Sequence, residues 1–107
     1  MSYQVRITET AKQDLREIAF YIAEHSMDNE TAKRFVMELR EQCKRLVDFP
    51  QSGAIPKDHV LRSLDFRYIV HKDYLIFYCI DETQRIVDVL AIFNAKKDYL
   101  RVMRKYI

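Results

Sequence analysis

The residues best suited to chemistry lie late in the chain, in Asn94-Ala95-Lys96-Lys97-Asp98-Tyr99 and the segment after it. From position 96 onward, Lys96, Lys97, Arg101, Arg104 and Lys105 stand against Asp98 alone. Clustered ammonium and guanidinium groups suit a phosphate-rich or acidic partner, and they equally suit the solvated side of a terminal helix. Other chemistries find less support. Cys43 and Cys79 sit within apolar patterns, as buried thiols do, and neither has a second Cys or a His at ligand spacing. His25, His59 and His71 are scattered and form no zinc signature. Neither a metal nor an organic cofactor is expected.

The basic cluster must be held by what precedes it. Tyr74-Leu75-Ile76-Phe77-Tyr78-Cys79-Ile80 contains no charge, as expected of a central strand buried on both faces. Ile86 to Phe93 is nearly as apolar and stops abruptly at Asn94, so a buried strand delivers the polar cluster at its end. Upstream, Leu64, Phe66, Tyr68 and Val70 alternate with Asp65, Arg67 and Ile69. His71-Lys72-Asp73 and the segment from Asp81 to Arg85 read as hairpin connections. The three runs form a meander.

The N-terminal half predicts the layer above. Tyr3, Val5 and Ile7 alternate with Gln4 and Arg6 in a short half-buried strand. Thr8 or Thr10 can cap the next helix, in which Ala11, Leu15, Ile18, Ala19 and Ile22 form one apolar stripe. Asp14, Arg16, Glu17 and Glu24 occupy its other faces. After a break at residues 25–29, with Asp28 or Asn29 as cap, Ala32, Phe35, Val36, Leu39, Cys43, Leu46 and Val47 form a second stripe over about five turns. Two single-striped helices with a short link make an antiparallel hairpin that lies against a sheet. Pro50 ends the second helix, and Gly53 allows a turn conformation. The predicted order is β-α-α-β-β-β with a short C-terminal helical segment. The fold class is α+β: a helical hairpin packed on a curved, mostly antiparallel sheet whose other face is a concave surface rimmed by the terminal segment.

The totals agree. A chain of 107 residues, 49% apolar and 32% charged, suggests one globular domain, 1–107, rather than disorder. Net charge is +2, with 8 basic and 9 acidic residues in 1–50 but 10 basic and 7 acidic in 51–107. No apolar run approaches a membrane span of about 20 residues, and the N-terminus lacks a signal-peptide core. A cytoplasmic location without membrane association is expected.

The order and spacing of these pieces resemble the RelE/ParE superfamily of bacterial type II toxin–antitoxin toxins. The likeness runs through Tyr21-Ile22, Thr31-Ala32-Lys33-Arg34-Phe35, Phe49-Pro50-Gln51-Ser52-Gly53, Arg67-Tyr68, Tyr74 to Tyr78, Val89 to Phe93 and Lys97-Asp98-Tyr99. It implies a toxin neutralised by a cognate antitoxin that wraps it. RelE-like members cut messenger RNA in the ribosomal A site, and ParE-like members poison DNA gyrase.

Cutting RNA at a 2′-hydroxyl requires that oxygen to be activated, the phosphate charge stabilised and the leaving oxygen protonated. RelE-like enzymes do much of this with Lys, Arg and Tyr. The resemblance points to Arg67, Lys97 and Tyr99 as catalytic candidates and to Arg62, Lys96 and Arg101 as RNA- or phosphate-binding ones. Arg62 and Arg67 can clamp phosphate, Lys97 can stabilise a phosphorane or act as acid, and Tyr99 can stack on a base or move a proton. Arg67 can instead pair with Asp65 or Asp88, Tyr99 can pack in the core, and the lysines can be solvated. The chain departs from many relatives in reading Asn94-Ala95-Lys96-Lys97 where they carry a His followed by Arg. Asn cannot transfer a proton, Lys lacks the bidentate fork of Arg, and His71, in a hairpin, is a poor substitute. The expectation is a growth inhibitor acting on translation by ribosome-dependent mRNA cleavage. Gyrase inhibition is the alternative, and a non-toxic binding module that kept the fold is a third.

Overall fold

The computed structural model describes residues 2–107. The chain begins with strand β1 (Gln4–Ile7) and continues into helices α1 (Glu9–Ser26) and α2 (Asn29–Lys44). A one-turn helix α3 (His59–Ser63) precedes the meander β2 (Phe66–His71), β3 (Tyr74–Asp81) and β4 (Ile86–Asn94), and a short helix α4 (Tyr99–Met103) follows. The sheet order is β1-β4-β3-β2, with β1 parallel to β4 and the other pairs antiparallel. The uncharged run is thus a central strand, as its composition predicts.

Local chemistry sets the helix ends. The Thr8 hydroxyl oxygen accepts from the Ala11 N–H at 3.2 Å and donates to the Val89 carbonyl at 2.9 Å, so one residue starts α1 and ties it to β4. Asp28 accepts from the Glu30 N–H and the Thr31 hydroxyl, while Met27, at φ 57°, closes α1 in the left-handed conformation. The α-helical part of α2 stops at Lys44 and tightens into a 3₁₀ turn over Arg45–Val47, which shortens the expected five-turn helix.

Two cores flank the sheet. Ala11, Leu15 and Ile18 of α1 and Leu39 and Cys43 of α2 pack on Ile76, Tyr78, Val87, Val89 and Ile92. On the opposite face Leu61 of α3 and Met103 of α4 cover Phe66, Phe77, Ala91 and Phe93. That face is therefore partly roofed rather than a bare concavity.

Helix α3 has no counterpart in the sequence reading. Asp58 caps it by accepting the Leu61 N–H at 3.0 Å, and Leu64, expected to open a strand, ends it. Asp65 then turns at φ 61° into β2. His71 and Asp81 are the last residues of β2 and β3, which narrows both hairpin connections. Gly53 also differs from expectation. It has no positive φ; its role is close approach to Tyr78, whose hydroxyl accepts the Gly53 N–H at 2.9 Å and donates to the Pro50 carbonyl at 2.7 Å.

Candidate functional site

Between β3 and β4 the register shifts, pairing Phe77 with Ala91 and Tyr78 with Val89 and leaving Leu90 without an opposite residue. Such a bulge bends a strand and re-aims the side chains beyond it. The short β1 ends at the same level, with Ile7 opposite Val89. Past this point, among the described residues, no strand pairs with the outer side of β4, and side chains satisfy its backbone instead. The Asp14 carboxylate accepts the Ile92 N–H at 2.9 Å, and the Tyr106 hydroxyl donates to the Leu90 carbonyl at 2.9 Å.

These two groups border a cleft of about 610 Å³ between α1, the end of β4 and the terminal segment. Lys96, Lys97 and Lys105 rim it, with Glu17 and Asn94 beside them. Burial pushes the Asp14 carboxyl above its ordinary value; the Ile92 N–H pulls the other way, Glu17 adds to the rise, and Lys105 and Lys97 oppose it. Asn94 builds the turn that presents the lysines. Its side-chain oxygen accepts the Lys96 N–H at 2.9 Å and its backbone carbonyl accepts the Lys97 N–H at 3.0 Å. The arrangement can hold an anionic group over a half-buried carboxyl. Asp14 and Tyr106 did not stand out as site residues: Asp14 looks like any polar helix position, and only the unpaired edge of β4 gives it a role.

The six sequence candidates separate. Lys96 and Lys97 reach the cleft together. Arg67 lies opposite Tyr78 on β3 and so shares the helix-side face. Its Nη1 donates to the Gln51 carbonyl at 3.2 Å and the Gly53 carbonyl at 3.1 Å, clamping the 50–53 loop. Asp88, offered as its partner, instead receives Arg6 in a bidentate pair at 2.8 and 3.1 Å. Tyr99 lies on the other face, half-buried, with its ring stacked on Phe77 at 5.8 Å. Phe77 also stacks on Phe93 and Tyr68, at 5.6 and 5.3 Å, to complete an aromatic layer. Arg62 is exposed on α3, with Nε 3.4 Å from the Pro56 carbonyl, and Arg101 is exposed on α4. His71 Nε2 lies 2.9 Å from Glu38 Oε1, and Lys72 Nζ lies 3.0 Å from the same oxygen. The His71 hydrogen bond, then Lys72, holds the Glu38 carboxyl below its ordinary value.

Residues 5–99 match the family model described as the ParE toxin of the type II toxin–antitoxin system, parDE. The chain belongs to this toxin family. Solved structures share the ParE-family fold. A chromosomal ParDE toxin–antitoxin system from P. aeruginosa superposes with a TM-score of 0.72 at 19% identity, covering 88% of this chain and 97% of that one. The RelBE2 toxin–antitoxin complex from Mycobacterium tuberculosis gives 0.63 at 22% identity, over 88% and 99%. A double mutant of E. coli RelE in the free state gives 0.66 at 12% identity, over all of both chains. A comparison with curated proteins gave no match. Among the described residues no helix of this ParE-family chain is long and apolar enough to cross a membrane.

Proposed function

We propose that this ParE-family toxin, held in check by a cognate antitoxin, arrests growth by occupying DNA gyrase rather than by cutting messenger RNA. One observation carries the reading: Arg67 and Tyr99 belong to opposite faces of the sheet. A general acid or base must reach the atom it serves within about 3 Å, directly or through one water. Arg67 is engaged by loop carbonyls on the helix-side face and the Tyr99 ring by an aromatic stack on the other, so the two do not meet at one reaction centre. Occupation of a target needs only a surface. The family match to ParE supports the same direction.

Cleavage of ribosome-bound messenger RNA is the second reading. The specific support for it is the cleft, where three lysines surround a carboxyl whose affinity for a proton is raised. Cations there can stabilise a phosphorane, and such a carboxyl lies closer to the range of a working general acid.

The deciding experiment is induction of the protein alone in a bacterial host, with pulse labelling of DNA and protein synthesis, beside a supercoiling assay with purified gyrase. A fall in DNA synthesis, filamentation and loss of supercoiling support gyrase. An immediate fall in protein synthesis, with new messenger 5′ ends within codons, supports cleavage. No effect on either makes the chain a binding module without toxicity.

A further inference from the structure

The terminal segment concentrates positive charge. Lys96, Lys97, Arg101, Arg104 and Lys105 are all exposed, and among the described residues none of them forms an ion pair. Some cations elsewhere are engaged, Arg6 with Asp88, Lys72 with Glu38, and Lys12 and Lys33 with glutamates three residues before them, while others such as Arg34 and Arg40 on α2 have no ion pair among the described residues; the terminal segment differs in having five such cations within ten positions. The one acid in the segment, Asp98, accepts the Leu100 N–H as the cap of α4, so its charge lies at the start of the helix.

The five cations lie on one short exposed segment, a basic ridge. Lys96, Lys97 and Lys105 meet at the rim of a single cleft. Arg101 lies on α4, and Arg104 and Lys105 lie in the 3₁₀ turn over Arg104–Tyr106 that follows it directly. The inward positions of the same segment are apolar: Met103 is buried, and Tyr99 and Val102 pack on the aromatic layer. Five cations against Asp98 make residues 96–107 strongly basic, whereas the whole chain carries only +2, so the body before them is net acidic.

We infer that this ridge is a contact surface for the phosphate backbone of duplex DNA. Charge alone is compatible with single strands too, and the aromatic residues decide between the two. Binding of single-stranded nucleic acid relies on free aromatic faces for stacking. Here Tyr99 stacks on Phe77, Tyr106 is half-buried with its hydroxyl committed to Leu90, and across the cleft the exposed Tyr21 stacks on His25 at 4.0 Å while Tyr74 packs against Phe35. The ridge offers cations without a stacking platform, which fits a backbone contact that reads no bases. The net acidic body adds no overall positive charge to compete with the ridge. The inference rests on the gyrase reading for its setting: a toxin seated on gyrase lies beside the duplex that gyrase holds, and the ridge engages that DNA.

The test uses the full-length toxin alone with a fluorescent 30-base-pair duplex and a single strand of the same length, titrated by anisotropy from about 50 to 200 mM salt. Wild-type protein binds the duplex with a log–log salt slope of about −3 to −4.5, as expected for contacts to most of five phosphates. R101A/R104A lowers the magnitude of the slope by about 2 and weakens binding at least tenfold, while R16A, at an exposed site on α1, leaves both unchanged. Matching thermal melts establish that the variants are folded. Absence of duplex binding at 50 mM salt, equal binding by R101A/R104A and wild type, or preference for the single strand each overturns the inference. Duplex binding by a toxin that leaves supercoiling untouched keeps the ridge and removes the gyrase reading. Inhibition of supercoiling without duplex binding does the reverse.

Discussion

The Tyr78 hydroxyl and the Gly53 backbone fit together without room for another atom: a Cβ at Gly53 would lie 2.5 Å from the Tyr78 oxygen and 2.9 Å from the Tyr68 carbonyl. The contact joins a fully buried side chain of a central strand to the loop that leaves α2.

Gly53→Ala is therefore expected to destabilise the fold by about 1–3 kcal/mol, the usual cost of overpacking. Tyr78→Phe is expected to cost about 1–3 kcal/mol, because the Pro50 carbonyl and the Gly53 N–H lose their shared partner. The double variant costs less than the sum, since removing the hydroxyl relieves the closest contact. Urea unfolding of the four proteins measures the coupling; strict additivity would contradict the geometry.

Thr8→Ala is expected to cost about 1–2 kcal/mol. It removes the cap of α1 together with the hydrogen bond from that hydroxyl to Val89. Thr83→Ala, at an exposed turn position between β3 and β4, serves as the control and leaves the urea unfolding midpoint nearly unchanged.

Asp14 makes stability depend on pH in a defined direction. Its folded-state pKa is raised, so the folded protein binds the proton more tightly than the unfolded chain does. This contribution is present below the unfolded carboxylate pKa and is lost as pH rises through the higher folded one. Asp14→Asn, whose amide oxygen can still accept the Ile92 N–H, removes the dependence. Melting temperatures from pH 3 to 7 are expected to fall for wild type relative to the variant across that interval. Parallel curves would remove Asp14 from the account.

Glu38 has the opposite sign. His71 and Lys72 hold its carboxyl below the ordinary value, so its contribution is present above the unfolded pKa and disappears as pH falls through the folded one. Glu38→Gln is expected to lose stability at neutral pH but little in acid. A deficit that persists unchanged at pH 3 would point to packing instead.

Arg67→Ala and Tyr99→Phe separate the two mechanisms. If the toxin works by occupation, Arg67→Ala lowers thermal stability through the loss of two loop hydrogen bonds, and Tyr99→Phe, whose ring still stacks, arrests growth as wild type does. If it cleaves RNA with these residues, both variants abolish growth arrest at normal protein levels. Growth curves with matched immunoblots distinguish the cases.

Much of the fold is legible in residue patterns. The stripes of α1 and α2 and the uncharged β3 specify the hairpin and the central strand, because burial repeats over several turns or strand positions. Helix α3 escapes such a reading since one turn cannot show a stripe; its signal is Asp58, three residues before Leu61. The bulge at Leu90 escapes as well, because it arises from the pairing of two strands rather than from either alone. At the candidate site, charge marks Lys96 and Lys97. Strand alternation already puts Arg67 and Tyr68 on opposite faces, so the separation of Arg67 from the aromatic layer could have been inferred. The link between Asp14 and Ile92 depends on β1 being four residues long, and that is visible only in three dimensions.

The pairing of β1 with β4 also orders events during synthesis. Gln4 aligns with Ile86 and Ile7 with Val89, so the first strand made finds its partner only when the last strand leaves the ribosome. The helical hairpin, built from local contacts, can form long before then, but its apolar stripe has no sheet to cover it until the meander arrives. A chain cut short before residue 86 therefore leaves that stripe uncovered, and such fragments are expected to be substrates for chaperones and proteases. Because closure of the sheet requires β4, the folded toxin exists only once translation has passed residue 94.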